Sequence, residues 1–118
     1  MSDEDKLKIG IVGPCGAGKS TLVNALAERG YKARHIAQEH SFVPTMWKRI
    51  VDPDILVYLD ASFFVSTERR KLDWVLEDYE EQLRRLRDAR EHADLYINTD
   101  QLTPQEVVER VLRYIFPT

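Results

Sequence analysis

The sequence contains little that would indicate a membrane protein, a disulfide-rich protein or a nucleic-acid-binding protein. Its 118 residues include one cysteine, so no disulfide bond can form within the chain. No run of about 18 apolar residues is present to span a bilayer, and the acidic first residues lack the apolar core of a signal peptide. The 17 Lys and Arg residues nearly balance the 20 Asp and Glu residues, and a net charge of −3 provides no general attraction to nucleic acid. We therefore expect a cytoplasmic protein that binds neither a membrane nor nucleic acid.

The composition fits one globular domain. Hydrophobic residues make up 43% of the chain and can form a core, while 31% charged residues can cover its surface. The length is that of a single domain, and no internal repeat is present. We expect residues 1–118 to form one domain, with residues 1–5 disordered at its start.

Glycine is also scarce, and its placement is informative. Three of the five glycines fall in residues 13–18. Residues 13–20 read GPCGAGKS and match the P-loop pattern G-x-x-x-x-G-K-[ST] at every specified position. The apolar run at residues 7–12 predicts a buried strand before the motif, and residues 20–29 predict a helix after it that ends at Gly30. This context predicts a site for a nucleoside triphosphate bound with magnesium.

Each part of the motif has a physical role. Glycines let the backbone turn tightly and bring N–H groups onto phosphate oxygens, and the helix that begins at the loop adds its positive end. Lys19 is expected to reach the β- and γ-phosphates, and the Ser20 hydroxyl to bind Mg²⁺. Cys15 is either a small filler side chain or a redox-sensitive thiol near a helix N-terminus. The predicted nucleotide-binding residues of the motif are Gly13, Pro14, Cys15, Gly16, Ala17, Gly18, Lys19, Ser20 and Thr21.

The rest of the chain alternates between strand and helix patterns. Further strands are predicted at residues 31–37, 55–60 and 93–98, and further helices at residues 45–50, 63–71, 75–91 and 103–114. This alternation predicts an α/β, three-layer, P-loop NTPase-like fold with a small, mostly parallel sheet of about four strands flanked by helices. Ligands of such sheets bind at the carboxyl ends of the strands, where the P-loop lies.

Two of the predicted helices carry specific signals. In residues 75–91, an apolar stripe is predicted from the spacing of Leu76, Tyr79, Leu83 and Leu86. The last helix has a near-ideal start, since Thr103 can serve as N-cap, Pro104 fits the first turn and Glu106 completes a capping box.

Three segments resemble the P-loop kinases of small substrates, such as nucleoside monophosphate, shikimate and gluconate kinases. Residues 8–22 resemble their first strand, P-loop and first helix. Residues 53–70 resemble their fourth core strand and the start of the arginine-bearing lid, and residues 93–108 their last strand and closing helix. These kinases usually have five core strands and a substrate-binding insertion. Here only residues 38–54 separate the second strand from the third, which predicts a shortened kinase core.

The resemblance implies ATP and Mg²⁺ as ligands and suggests further site residues. Arg69 or Arg70 would be the lid arginine that stabilises the transferring phosphoryl group. Asp100 would lie in the loop near the adenine base. The chain has no N-K-x-D motif for guanine, so adenine is favoured.

Two acids are candidates for the metal or for catalysis. Asp60 ends an apolar strand as a Walker B acid does, but the resemblance places that strand on the opposite side of the P-loop strand, where Asp60 would cap the next helix. Glu39 follows the predicted strand 31–37, which can lie beside the P-loop strand. Glu39 would then contact Mg²⁺ or act as general base; otherwise it is a solvated loop acid. His40 beside it is either exposed or a substrate contact.

Two functions of different classes follow. The first is an ATP-dependent kinase that transfers the γ-phosphoryl group to a small acceptor. The second is a minimal ATP-binding or weak ATPase module that acts through a protein partner, because no substrate domain is present. A thin sheet would leave apolar surface exposed, which is compatible with a homodimer under either hypothesis.

Overall fold

The computed structural model describes residues 7–117, and the predicted disorder of residues 1–5 lies outside this range. Within it, strands and helices alternate along the chain. The strands are β1 (Lys8–Val12), β2 (Lys32–His35), β3 (Ile55–Asp60) and β4 (Leu95–Asn98). The helices are α1 (Lys19–Glu28), α2 (Met46–Ile50), α3 (Phe63–Arg70), α4 (Leu76–Arg85), α5 (Arg87–His92) and α6 (Pro104–Ile115), with a 3₁₀ turn at Gln38–His40.

The four strands form one parallel sheet in the order β2-β1-β3-β4. This confirms the predicted α/β fold and the small parallel sheet. It also places β3 on the opposite side of β1 from β2. All four carboxyl ends therefore meet at one edge, where the P-loop follows β1, the 3₁₀ turn follows β2 and the loop from Thr99 follows β4.

The sheet is covered on both faces, which gives the predicted three layers. On one face, the buried side chains of α1 and α6 pack on β1 and β3, among them Leu22, Leu26 and Val111. On the other face, Trp47 of α2 and Ala89 of α5 pack with Tyr58. Because β1 and β3 are buried on both sides, their sequences are almost continuously apolar.

Helix α6 begins as its sequence predicts. The Thr103 hydroxyl accepts the Glu106 N–H at 3.1 Å, and the Glu106 carboxylate accepts the Thr103 N–H at 2.9 Å. Pro104 is the first residue of the helix. This capping box satisfies backbone donors that the first turn would otherwise leave unpaired.

The predicted helix at residues 75–91 is instead two helices, α4 and α5, that meet at Leu86. The N–H of Leu86 donates to the carbonyl oxygens of Gln82 at 3.0 Å and of Leu83 at 3.2 Å. The second of these bonds spans three residues, as in the tighter 3₁₀ helix. Leu86 is fully buried, whereas Leu76 is 49% exposed. The predicted apolar stripe is therefore wrong at its first position, Leu76. A polar residue of α4, Gln82, is buried against the P-loop, where it bonds to Cys15.

None of the helices within residues 7–117 combines the length and the apolar character that crossing a bilayer requires.

Candidate functional site

The P-loop joins β1 to α1 in a conformation that requires glycine. Gly13, Gly16 and Gly18 all have positive φ, at 150°, 84° and 96°. At Gly16 there is also no space, because a Cβ there would lie 2.6 Å from the carbonyl oxygen of Ser66. The loop is thus packed tightly against α3, and its other side faces a cavity together with the N-terminus of α1.

This cavity, of about 430 Å³, brings most of the predicted site residues together. The P-loop residues are joined there by the 3₁₀ turn after β2 and by the end of α3. Its lining comprises Cys15, Gly16, Gly18, Lys19, Ser20, Thr21, His35, Glu39, His40, Arg69 and Arg70. We name it the P-loop cavity.

Lys19 is buried, with 6% of its side chain exposed. Its Nζ donates to the carbonyl oxygens of Gly13 at 2.6 Å and Pro14 at 2.9 Å, and lies 3.0 Å from Oε2 of Glu39. These three contacts match the three donors of an ammonium group. The ammonium is therefore held inside the loop by the loop's own carbonyl oxygens and by Glu39.

Glu39 is almost fully buried, with 2% of its side chain exposed, which rules out the solvated-loop alternative. Besides Lys19, its Oε2 lies 3.8 Å from Nε2 of His35 and 3.9 Å from Nε2 of His40. Its Oε1 is buried and has no hydrogen-bond partner within the described part of the chain. A buried carboxylate oxygen without a donor is costly, so the Glu39 carboxylate, at the edge of the P-loop cavity, keeps an unused acceptor.

The position of Glu39 depends on Gln38, a fully buried residue that the sequence analysis missed. The Gln38 side chain donates to the carbonyls of Val43 at 2.8 Å and Arg85 at 3.2 Å, and accepts the N–H of Trp47 at 2.9 Å. These bonds fix the 3₁₀ turn against α2 and α4. No local pattern distinguishes this glutamine from an exposed one.

Cys15 is held by a second missed residue, Gln82 of α4. The Gln82 amide accepts the N–H of Cys15 at 2.9 Å and donates to its Sγ at 3.2 Å. The same sulfur lies 3.7 Å from Nε2 of His40. Cys15 is therefore oriented by specific polar contacts, more than a filler role requires.

Arg69 connects the P-loop to the loop after β4. Its guanidinium donates to the hydroxyl of Thr99 at 2.8 Å, to the carbonyl of Thr99, and to the carbonyl of Gly16 at 3.3 Å. Thr99 is buried, and its Oγ1 lies 3.1 Å from the carbonyl oxygen of Ala17. Arg70 also lines the P-loop cavity.

A smaller cavity, of about 160 Å³, adjoins the P-loop cavity and shares Gly18, Thr21 and Arg69 with it. It lies between the start of α1 and the start of α6. Its remaining lining is mainly apolar: Ala17, Leu22, Thr99, Leu102, Pro104 and Val107. We name it the apolar cavity.

The structure does not bring Asp60 or Asp100 to either cavity. The Asp60 carboxylate accepts the Ala61 N–H at 2.9 Å and the hydroxyl of Tyr96. Asp100 accepts the N–H of Ser62 at 2.8 Å, just before α3. Both acids therefore hydrogen-bond to neighbouring segments, while Glu39 is the acid beside Lys19.

The electrostatics of the P-loop cavity favour the neutral form of His35. Burial and the adjacent Lys19 ammonium lower the pKa of His35 below its usual 6.5, and this outweighs the opposing effect of the Glu39 carboxylate. A neutral imidazole can accept a proton or a hydrogen bond near neutral pH.

Two comparisons with known proteins bear on the chain. Residues 9–111 match a family model described as an AAA domain, which spans most of the sequence and includes every residue of both cavities. A search of curated proteins finds no significant match.

Proposed function

Because the chain belongs to the AAA-domain family, a P-loop NTPase-type domain found in many kinases, we propose that it binds ATP with Mg²⁺ and transfers the γ-phosphoryl group to a small acceptor. The nucleotide-binding part of this statement rests on the family. Transfer to an acceptor is inferred from the side chains beside Lys19, namely Glu39, with His35 and His40 next to it.

The observation that carries the proposal is the pair of adjoining cavities that share Arg69. The P-loop cavity is polar and offers backbone donors at a helix N-terminus, the environment that a triphosphate needs. The apolar cavity has the lining that a base needs, with the Thr99 loop at its edge. Arg69 would contact the nucleotide where base and phosphates meet.

The residues present fit a magnesium ion. Mg²⁺ prefers oxygen ligands, and the P-loop cavity offers the hydroxyl of Ser20 and the unpaired Oε1 of Glu39. These two side chains would hold the ion directly or through water. When bound, the ion would supply neutralisation of the charge that develops on the phosphate oxygens.

The protein's own groups would then act by positioning and charge. Lys19 would exchange its two carbonyl contacts for phosphate oxygens, while the N–H groups of Gly16 and of residues 18–20 would donate to the phosphates. The N–H groups of Cys15 and Ala17 are already bonded within the protein. Arg70, which is exposed and lines the P-loop cavity, would approach the γ-phosphate. As the alternative to holding the ion, Glu39 would orient the attacking hydroxyl and accept its proton, with His35 and His40 beside it.

A minimal ATPase that acts through a protein partner is the second candidate. One observation favours it: the short connection between β2 and β3 is occupied by α2, whose Trp47 is buried in the core. That segment therefore provides no separate acceptor-binding domain.

The experiment is ADP release from Mg-ATP, measured alone and then with pools of nucleoside monophosphates and of small hydroxylated metabolites. We expect one pool to stimulate ADP release by the parent protein. The Glu39→Gln variant should lose this stimulation. Glu68→Gln is the matched control, because Glu68 is 80% exposed on α3. Slow hydrolysis that no pool stimulates would favour the second candidate. Absence of ATP binding by calorimetry would contradict both.

A further inference from the structure

Three different metal-ligating groups lie close together at the P-loop cavity. The Cys15 sulfur, a Glu39 carboxylate oxygen and a His40 ring nitrogen all lie within 4.8 Å of one another. The sulfur is 3.7 Å from Nε2 of His40, and that nitrogen is 3.9 Å from Oε2 of Glu39. Cys15 comes from the P-loop, while the other two residues come from the 3₁₀ turn after β2.

These separations are close to those of a zinc site. In tetrahedral zinc sites the bonds are about 2.3 Å to sulfur, about 2.0 Å to nitrogen and about 2.1 Å to oxygen, which puts ligand atoms about 3.3–3.6 Å apart. The sulfur-to-nitrogen and nitrogen-to-oxygen distances exceed these by about 0.1–0.5 Å, and the sulfur and the carboxylate oxygen lie within 4.8 Å of each other, so side-chain rotations would bring the three groups to bonding positions. We propose that Cys15, Glu39 and His40 form a binding site for Zn²⁺ or a similarly borderline-soft divalent metal ion, and that its occupation competes with Mg-nucleotide.

The donor set separates this site from a magnesium site. Mg²⁺ selects oxygen ligands, whereas a thiolate and an imidazole select Zn²⁺ and related transition metals. Only Glu39 belongs to both sets. The fourth tetrahedral position would remain for water or another small ligand, because three protein ligands are available.

The site is built around a buried and incompletely bonded acid. Glu39 is 2% exposed and lines the same cavity as Cys15 and His40. Its Oε2 is the oxygen near His40, and its Oε1 has no hydrogen-bond partner among residues 7–117. The Gln82 amide, 3.2 Å from the sulfur, orients Cys15 as an outer-shell donor does in metal sites. His40 is 60% exposed, which leaves the cluster open to an entering ion.

Competition with nucleotide follows from shared parts. Glu39 would serve the zinc ion and is also paired with Lys19 at 3.0 Å. Cys15 belongs to the loop whose backbone would surround the phosphates. This second half of the proposal rests on the proposed nucleotide function, whereas the binding of zinc does not.

Zinc binding is measured first, by calorimetry of Zn²⁺ alone with the full chain. We expect one ion per chain. Loss of an outer-shell partner lowers metal affinity by about 10–100-fold. Because Cys15 and His40 are proposed as direct ligands, Cys15→Ser and His40→Ala should each lower Zn²⁺ affinity by at least about tenfold. His92→Ala is the matched control and should bind as the parent does, because His92 lies on α5 and is similarly exposed, at 58%. Thermal unfolding of each metal-free variant checks its folding.

Cobalt substitution tests the sulfur ligand directly. Co²⁺ bound by the parent should show thiolate-to-metal charge-transfer absorption, and Cys15→Ser should lack it. The proposal is overturned if Zn²⁺ does not bind, if neither variant of the ligands weakens binding, or if the cobalt complex shows no such absorption.

Competition is measured by adding Zn²⁺ to Mg-ATP binding assays. We expect Zn²⁺ to lower nucleotide affinity in the parent and in His92→Ala, and to have little effect in Cys15→Ser. Equal inhibition in Cys15→Ser would overturn the competition. If the chain binds zinc through these residues but no ATP, the metal site stands and the proposed nucleotide function fails.

Discussion

Lys19 and Glu39 form a buried ion pair, with 3.0 Å between Nζ and Oε2 and only 6% and 2% of their side chains exposed. The pair joins the P-loop to the turn after β2, and thus connects two neighbouring strands of the sheet at their carboxyl ends. It also balances the charge of the Lys19 ammonium inside the loop.

The first prediction concerns the stability of this pair. Lys19→Ala leaves the Glu39 carboxylate buried without its partner, which costs about 3 kcal/mol in comparable cases. Urea denaturation should show this loss in the free energy of unfolding. Lys71→Ala is the control: it removes an exposed pair with Glu68 and should change stability by less than about 1 kcal/mol. A Lys19→Ala variant as stable as the parent would contradict the buried pair.

The double variant Lys19→Ala, Glu39→Gln refines this test. The neutral amide removes the unpaired charge, so the double variant should be more stable than Lys19→Ala alone. Strict additivity of two destabilising changes would show that the two side chains do not interact.

The second prediction concerns the packing of the P-loop on α3. Gly16 and Gly30 have nearly the same positive φ, 84° and 87°, so alanine meets the same backbone strain at both. Only at Gly16 would the new Cβ also clash with Ser66, since nothing lies within 4 Å at Gly30. Gly16→Ala should therefore unfold at a lower urea concentration than Gly30→Ala. The clash should lower its free energy of unfolding by about 1–3 kcal/mol more. Equal losses in the two variants would exclude the tight contact.

The third prediction separates Arg69 from Arg70. Arg69 lines both cavities and is fixed by Thr99, whereas Arg70 lines the P-loop cavity alone. Arg69→Ala should weaken ATP binding about tenfold or more in calorimetry, because it removes a charge where the two cavities proposed for base and phosphates adjoin. Arg70→Ala should lower turnover more than affinity. If Arg69→Ala lowered mainly turnover and Arg70→Ala mainly affinity, the roles assigned to the two arginines would be wrong.

The fourth prediction is a pH dependence of stability through His35. Its pKa is lowered by burial and Lys19, and is opposed by Glu39, so the unfolded chain binds more protons just below pH 6.5. The contribution of His35 to the free energy of unfolding is thus complete above pH 6.5 and declines as the pH falls towards the folded-state pKa. Proton NMR of the imidazole should give a midpoint below 6.5, and Glu39→Gln should lower it further. A midpoint at or above 6.5 would contradict this environment.

The sequence by itself determined the features that depend on local spacing. The P-loop could be located because only glycine tolerates its backbone angles and because its lysine and serine stand at set distances along the chain. The start of α6 was equally predictable, since a capping box involves residues three positions apart. The α/β alternation followed from hydrophobic periodicity, which is also a local property.

The tertiary structure alone decided which side chains meet at the P-loop. Gln82 contacts Cys15 across 67 residues, and Arg69 contacts Thr99 across 30. The sequence left Glu39 and Asp60 as alternatives, and the strand order brought Glu39 to Lys19 while Tyr96 holds Asp60. Such contacts depend on how segments that are distant in sequence pack together. A local pattern of residues predicts which positions are buried and where the chain turns, but it does not predict which distant segment packs against a buried residue.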